Sequence, residues 1–401
     1  MKEFPEKLQQ KLDTRKATNA LRSLGTQNHL VDFSSNDYLG FSKSEAIFNA
    51  THNYLLGHNF TDNGATGSRL LSGNHPLYTV LESILCEFHN SESALVFNSG
   101  YDANLGFFSS VPQRGDIILY DEFIHASIRD GIKLSNAQAY KFKHNDLDNL
   151  DEMLKRVQHD DNNKGQTERS RSPLNTEIYI VTESVFSMDG DSPDLVNLSQ
   201  ISKKHNAYLV VDEAHAVGLF GYRGSGEIQR LGLENDVFAR LVTFGKALGC
   251  HGAVILGNEA LKQYLVNFAR SFIYTTALSP HNLATIKMAY KELTMSNDGE
   301  ISHNPIQMLH KNIQFFKSET KRLQLQNKFI ESHSAIHCCV ISGNNRVKTI
   351  SSQLQKDGFN VKAILYPTVS KGQERLRFCL HAFNTEQEIT DVLKLLTTFL
   401  N

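Results

Sequence analysis

Two apolar runs in this chain end in groups that could do chemistry together. Leu209-Val210-Val211 leads into Asp212-Glu213-Ala214-His215. In open α/β sheets, ligands sit beyond the carboxyl ends of the strands, so Asp212 arrives where a cofactor would be. A carboxylate at the edge of an apolar core is costly unless a cation faces it. The protonated nitrogen of a pyridine ring is such a cation, and the pairing keeps that ring an electron sink. The second run, Leu241-Val242-Thr243-Phe244, leads into Gly245-Lys246-Ala247-Leu248-Gly249. A Schiff-base lysine must be partly desolvated so that its amine is neutral and nucleophilic. Flanking glycines let backbone approach a cofactor, and the Thr243 hydroxyl can bind a phosphate oxygen. Lys246 follows Asp212 by 34 residues and His215 by 31, about one strand–helix unit.

Blander readings compete at each point. Asp212 could simply cap the following turn, and a lone lysine at a strand end is ordinarily solvated. Asp-Glu-Ala-His is also a helicase box, but that reading needs a GxxxxGK[ST] phosphate loop. Here Gly245-Lys246 is followed by Ala247, and Arg240 stands where the loop's first glycine belongs. Further groups converge on the same edge. Phe97-Asn98-Ser99-Gly100-Tyr101 reads as strand, turn and helix start, with free N–H groups suited to a phosphate. His125, in Phe123-Ile124-His125-Ala126-Ser127, follows another strand end and could stack on a flat ring. Ser187, in Val185-Phe186-Ser187-Met188-Asp189, follows a third.

The elements that would position these residues are legible as apolar blocks separated by helical patterns. The predicted strands are Ala94–Phe97, Asp116–Tyr120, Ala139–Phe142, Ile178–Thr182, Tyr208–Val211, Leu241–Phe244 and Gly252–Leu256. Amphipathic stretches such as Asp146–Val157 and Leu195–His205 lie between them. This alternation predicts an α/β fold with a mostly parallel sheet covered on both faces. His159–Asn175, almost without apolar residues, reads as a solvated loop. Strand-like runs at His337–Ile341, Asn360–Leu365 and Arg375–Leu380 and a closing helix Glu386–Phe399 predict a smaller α+β domain. The expected division is an N-terminal segment 1–45, a large domain 46–284 and a small domain 285–401.

Composition excludes several other classes. With 41 basic against 43 acidic residues the net charge is −2, too small a field to recruit nucleic acid or an acidic membrane surface. No stretch approaches the roughly 18 apolar residues of a membrane span. The charged start of the chain argues against a secretory signal, so a cytoplasmic location is expected. The five cysteines are scattered without CxxC spacing and predict neither a metal site nor a disulfide framework.

Taken together, these segments resemble the α-oxoamine synthase family of fold-type-I pyridoxal-phosphate enzymes. The likeness spans nearly the whole chain. It includes Ser35-Asn36-Asp37-Tyr38-Leu39-Gly40, Gly64-Ala65-Thr66-Gly67-Ser68-Arg69, the Ser99 turn, Thr182-Glu183, Phe186-Ser187-Met188-Asp189-Gly190 and the Asp212 and Lys246 segments. The resemblance implies a homodimer with pyridoxal phosphate on Lys246 and Asp212 at the ring nitrogen. His215 would bond the ring hydroxyl and His125 would stack on the ring. Gly100, Tyr101, Ser187 and Thr243 would be further cofactor contacts, and Thr275 would reach the partner's phosphate.

The opening Leu12-Asp13-Thr14-Arg15-Lys16, with Asn19-Ala20-Leu21-Arg22, is similar to the family's biotin-pathway branch. That branch implies condensation of L-alanine with a pimeloyl thioester of coenzyme A or acyl carrier protein. Arg22 would hold the pimeloyl carboxylate, as a fixed guanidinium can. Thr368 would contact substrate and Arg377 would hold the amino acid's carboxylate. Leu365-Tyr366 departs from the branch's usual arginine and proline and resembles relatives that use glycine. Glycine or serine with another acyl-CoA is therefore the alternative.

Overall fold

The computed structural model describes residues 4–22, 24, 29–163, 176–296 and 304–400. The chain forms two compact units, one of Met1–Tyr38, Met188–Asp191 and Gln307–Asn401, the other of Leu39–Ser187 and Ser192–Ile306.

The larger unit carries seven strands: β1 (Ser93–Phe97), β2 (Ile117–Asp121), β3 (Gln138–Phe142), β4 (Ile178–Glu183), β5 (Tyr208–Asp212), β6 (Ala239–Thr243) and β7 (Ala253–Gly257). They form one sheet in the order β1-β7-β6-β5-β4-β2-β3. Only β7 runs antiparallel, to both of its neighbours. The inner strands are apolar without alternation because both faces are covered, whereas the edge strand β3 leaves Gln138, Tyr140 and Lys141 exposed. Ile118 and Val210 join a core with Phe107 and Phe108 of helix α1 (Gly100–Ser110) and Ile128 of helix α2 (Ala126–Leu134). The neighbouring Leu119 and Val211 join a second core with Leu150 and Leu154 of helix α3 (Leu147–Asn163) and Leu198 of helix α4 (Leu195–Lys204).

The direction of the strands fixes where chemistry can occur. Because β7 opposes both β1 and β6 and all other pairings are parallel, the strands β1 to β6 all end at one edge. The segments that follow them carry Gly100, His125, Ser187, His215 and Lys246, and Asp212 and Thr243 close β5 and β6.

The smaller unit holds an antiparallel sheet of β8 (Ile336–Val340), β9 (Lys362–Ile364) and β10 (Arg375–Cys379), with β10 central. Helix Glu386–Leu400 buries Ile389, Val392, Leu393 and Leu396. Val31–Asp32 pairs in parallel with Phe359–Asn360.

The mostly parallel seven-stranded sheet agrees with the sequence reading. Two local expectations are corrected. Residues 159–163 continue α3 instead of opening a loop, since extending a helix needs no apolar face once a turn exists. The rest of that stretch, 164–175, lies outside the described residues. Asn360–Leu365 is not one strand, because the chain changes partner at the buried Val361, pairing first with Val31–Asp32 and then with β10. Among the described residues no helix is long and apolar enough to cross a membrane.

One buried group gives the large unit a pH dependence. His89 is fully buried, with Nδ1 3.2 Å from the Ser225 carbonyl and Nε2 2.8 Å from the Tyr290 hydroxyl. Nδ1 donates to the carbonyl, which can only accept, and in the neutral ring Nε2 accepts from the Tyr290 hydroxyl. Burial, and after it the Arg240 guanidinium, pulls His89 from 6.5 down to about 3. The unfolded chain takes up a proton there that the folded chain refuses, so this contribution is present above pH 6.5 and lost as pH falls towards 3. Urea midpoints measured from about pH 7 to about pH 5 are expected to fall more steeply for wild type than for His89→Asn.

Candidate active site

At the common strand edge, Asp212 is buried and its carboxylate is held by neutral donors. Oδ1 accepts the Ala214 N–H at 2.9 Å, and Oδ2 accepts from Asn104 Nδ2 at 3.0 Å. It makes no ion pair with a side chain among the described residues. A buried carboxylate in that state lacks the cation that would stabilise its charge.

Lys246 stands half-buried in the turn after β6. The turn is closed by Gly249 N–H to the Lys246 carbonyl at 2.9 Å and Cys250 N–H to the Phe244 carbonyl at 2.7 Å. Gly249 has φ +61, and a Cβ there would lie 2.1 Å from the Ser42 nitrogen, so no side chain fits. Asp212 and Lys246 act on the same two groups. Burial lowers the His125 pKa, Asp212 opposes that shift and Lys246 adds to it. Burial and then Asp212 push Glu183 up to about 8, while Lys246 pulls it down. The amine and the carboxylate thus meet in one local field.

The phosphate end is built at the start of α1. Ser99 caps the helix through the Asp102 N–H, at 3.0 Å from its Oγ, which leaves the first-turn N–H groups of Gly100 and Tyr101 for an anion. A Cβ on Gly100 would lie 2.5 Å from Thr243 Cγ2. The Thr243 Oγ1 is buried without a hydrogen-bond partner among the described residues. Such an atom is costly unless a ligand oxygen meets it. Asn98 Nδ2 reaches Thr275 Oγ1 at 3.4 Å and also the Thr276 carbonyl. The half-exposed Tyr101 gives its hydroxyl to Asp130 at 2.6 Å, so only its backbone serves the helix start. An unsatisfied hydroxyl, a helix start that excludes a methyl group and an uncompensated carboxylate fit a phosphorylated pyridine.

Ser187 and His215 are buried just beyond β4 and β5. His125 caps α2, and its backbone N–H donates to Glu183. Asn104, Ser127 and Glu183 carry no role in the sequence reading, although Ser127 and Glu183 lie in the segments around His125 and Thr182. The signal for Asn104 is its place four residues after Gly100, one helical turn along α1.

In the smaller unit Arg377 is buried, with Nη2 donating to Asn36 Oδ1 at 3.1 Å and Nη1 facing Cys379 Sγ at 2.9 Å. The nearby Arg375 is paired with buried Asp189. Thr368 and Arg22 are exposed.

Residues 28–396 match the family described as aminotransferase class I and II. The chain is 41% identical over 382 residues to 8-amino-7-oxononanoate synthase of Emericella nidulans, covering 92% of this chain and 89% of the relative. The chain is a member of the α-oxoamine synthases within that family. Solved structures agree. An 8-amino-7-oxononanoate synthase from Francisella tularensis superposes with TM-score 0.74 and 30% identity, over 93% of this chain and 98% of that one. A serine palmitoyltransferase from S. paucimobilis with bound PLP superposes with TM-score 0.83 and 25% identity, over 98% and 96%.

For this α-oxoamine synthase the Gly100 contact gives a direct test of the phosphate end. The β-branched Thr243 side chain has little rotamer freedom to yield. Gly100→Ala is expected to raise the pyridoxal-phosphate dissociation constant about tenfold or more, with far-ultraviolet circular dichroism unchanged; fluorescence titration measures it.

Proposed function

We propose that this protein is a pyridoxal-phosphate-dependent acyltransferase that condenses L-alanine with a pimeloyl thioester, giving 8-amino-7-oxononanoate, carbon dioxide and free thiol. The observation that carries the reading is the buried Asp212 carboxylate, without an ion pair among the described residues, acting on the same groups as Lys246. The substrate pair rests on the likeness to 8-amino-7-oxononanoate synthases.

Pyridoxal phosphate, when bound, supplies an electron sink for negative charge at the amino acid's Cα. Asp212 keeps the proton on the ring nitrogen, and His215 bonds the ring hydroxyl. Gly100, Tyr101, Ser187 and Thr243 hold the phosphate end, and Thr275 serves the partner's phosphate in a homodimer. His125 would lie against the ring and orient it, so that the bond to be broken is aligned with the electron sink. Lys246 would hold the cofactor through its aldehyde carbon, and its amine would be free once the amino acid is bound. Its free amine then takes the Cα proton. Cα forms a bond to the thioester carbonyl, the carbon–sulfur bond breaks and the thiol leaves. The former carboxylate departs as carbon dioxide, and a proton returns to Cα. Arg377 binds the amino acid's carboxylate, Arg22 the distal pimeloyl carboxylate, and Thr368 contacts substrate. The cytoplasm is the proposed location.

Tyr366 and the likeness to serine palmitoyltransferase favour a second reading with glycine or serine and another acyl-CoA. A panel pairing alanine, glycine and serine with pimeloyl, acetyl and palmitoyl thioesters separates them. Thiol release and a product of the mass of 8-amino-7-oxononanoate are expected from alanine with pimeloyl thioester. Turnover confined to serine or glycine pairs overturns the substrate assignment and leaves the chemistry standing. Amino-acid conversion without thioester overturns the chemistry.

A further inference from the structure

Between α1 and α2 a buried set of hydrogen bonds joins the Asp212 carboxylate to the His125 ring. Asn104 is 3% exposed and Ser127 1%. Asn104 Nδ2 lies 3.0 Å from Asp212 Oδ2 and 3.0 Å from Ser127 Oγ. Ser127 Oγ lies 2.8 Å from His125 Nδ1, and the Ser127 backbone nitrogen 3.2 Å from the same atom.

The direction of every bond follows from what each group can do. An ionised carboxylate only accepts, so the Asn104 atom facing Asp212 is the amide nitrogen. The two hydrogens on that nitrogen are spent on Asp212 and Ser127. Ser127 Oγ therefore accepts a hydrogen bond from Asn104 and turns its own hydrogen towards His125. The Ser127 backbone N–H, which can only donate, points at Nδ1 as well. Nδ1 thus accepts from both. The His125 backbone is fixed separately by its N–H bond to Glu183.

We propose that Asn104 and Ser127 are positioning residues that hold neutral His125 with its proton on Nε2 and tie that ring to the Asp212 carboxylate. The ring edge left free to meet substrate is then a donor, able to hold a substrate oxygen. The other tautomer would present a lone pair to that oxygen and repel it. The tautomer is a property of this chain alone, while its use in turnover rests on the function proposed above.

The test is ¹⁵N spectroscopy of the full chain with labelled histidine, with and without pyridoxal phosphate. The His125 signal is assigned by its loss in His125→Asn. Wild type is expected to show an unprotonated Nδ1 and a protonated Nε2. Ser127→Ala and Asn104→Leu are expected to move the two signals towards the average of mixed tautomers, and Ser127→Thr to restore them. With whichever substrate pair the panel identifies, kcat is expected to fall about tenfold in Ser127→Ala and Asn104→Leu, and KM for the amino acid to change less than about twofold. A proton on Nδ1 in the wild type overturns the proposal. So does a fall in kcat with the tautomer unchanged, which would mark Asn104 and Ser127 as merely structural. A changed tautomer with kcat intact overturns the link to turnover. Absence of turnover with every pair counts against the proposed function and leaves the spectroscopic result to stand or fall separately.

Discussion

The arrangement depends on a carboxylate placed where water is scarce. Asp212 closes a central strand, is buried, and is held by an amide and a backbone N–H and by no cation among the described residues. A charge in that position is tolerated only if a positive group arrives to meet it. The chain answers with a half-buried lysine one strand further along the sheet and a helix start prepared for an anion. A phosphorylated pyridine aldehyde carries the three complements: a ring nitrogen that can be protonated, a carbon that condenses with an amine, and a phosphate. That the protein belongs to the α-oxoamine synthases agrees with this chemistry and did not have to be assumed to derive it.

The sheet makes the site possible because its order and directions bring six strand ends to one edge. β7 runs antiparallel to both of its neighbours, so β1 and β6 share a direction and the Ser99 helix start lies at the same edge as Thr243. Gly100 lies against Thr243 because β1 and β6, distant in sequence, flank β7 in the sheet. The register of β4 on β5 sets Glu183 opposite Asp212, two carboxylates side by side in a buried place. The pair holds one charge most easily if Glu183 keeps its proton, which is the direction in which burial and Asp212 move it.

Much of this was legible in the sequence, and the reasons are specific. Apolar blocks such as Leu209–Val211 announce strands buried on both faces, and a charged or hydroxyl side chain at the end of such a block has nowhere to go but the ligand edge. Lys246, Asp212 and Thr243 are visible for that reason. Asn104 and Ser127 were not, because a polar residue within a helix or in its first turn reads as ordinary surface or capping. Only the packing of α1 on α2 turns them inward. Helix ends follow backbone hydrogen bonding more than composition, which is why 159–163 escaped. The split at Val361 was hidden because the run stays extended through it and only the pairing partner changes.

The central claim is that Lys246 carries the cofactor's aldehyde carbon. Borohydride reduction of the protein incubated with pyridoxal phosphate, followed by peptide mass mapping, tests it most directly. The account expects one pyridoxyl adduct per chain, located on Lys246. No adduct, or adducts scattered over surface lysines with Lys246 unmodified, would contradict it.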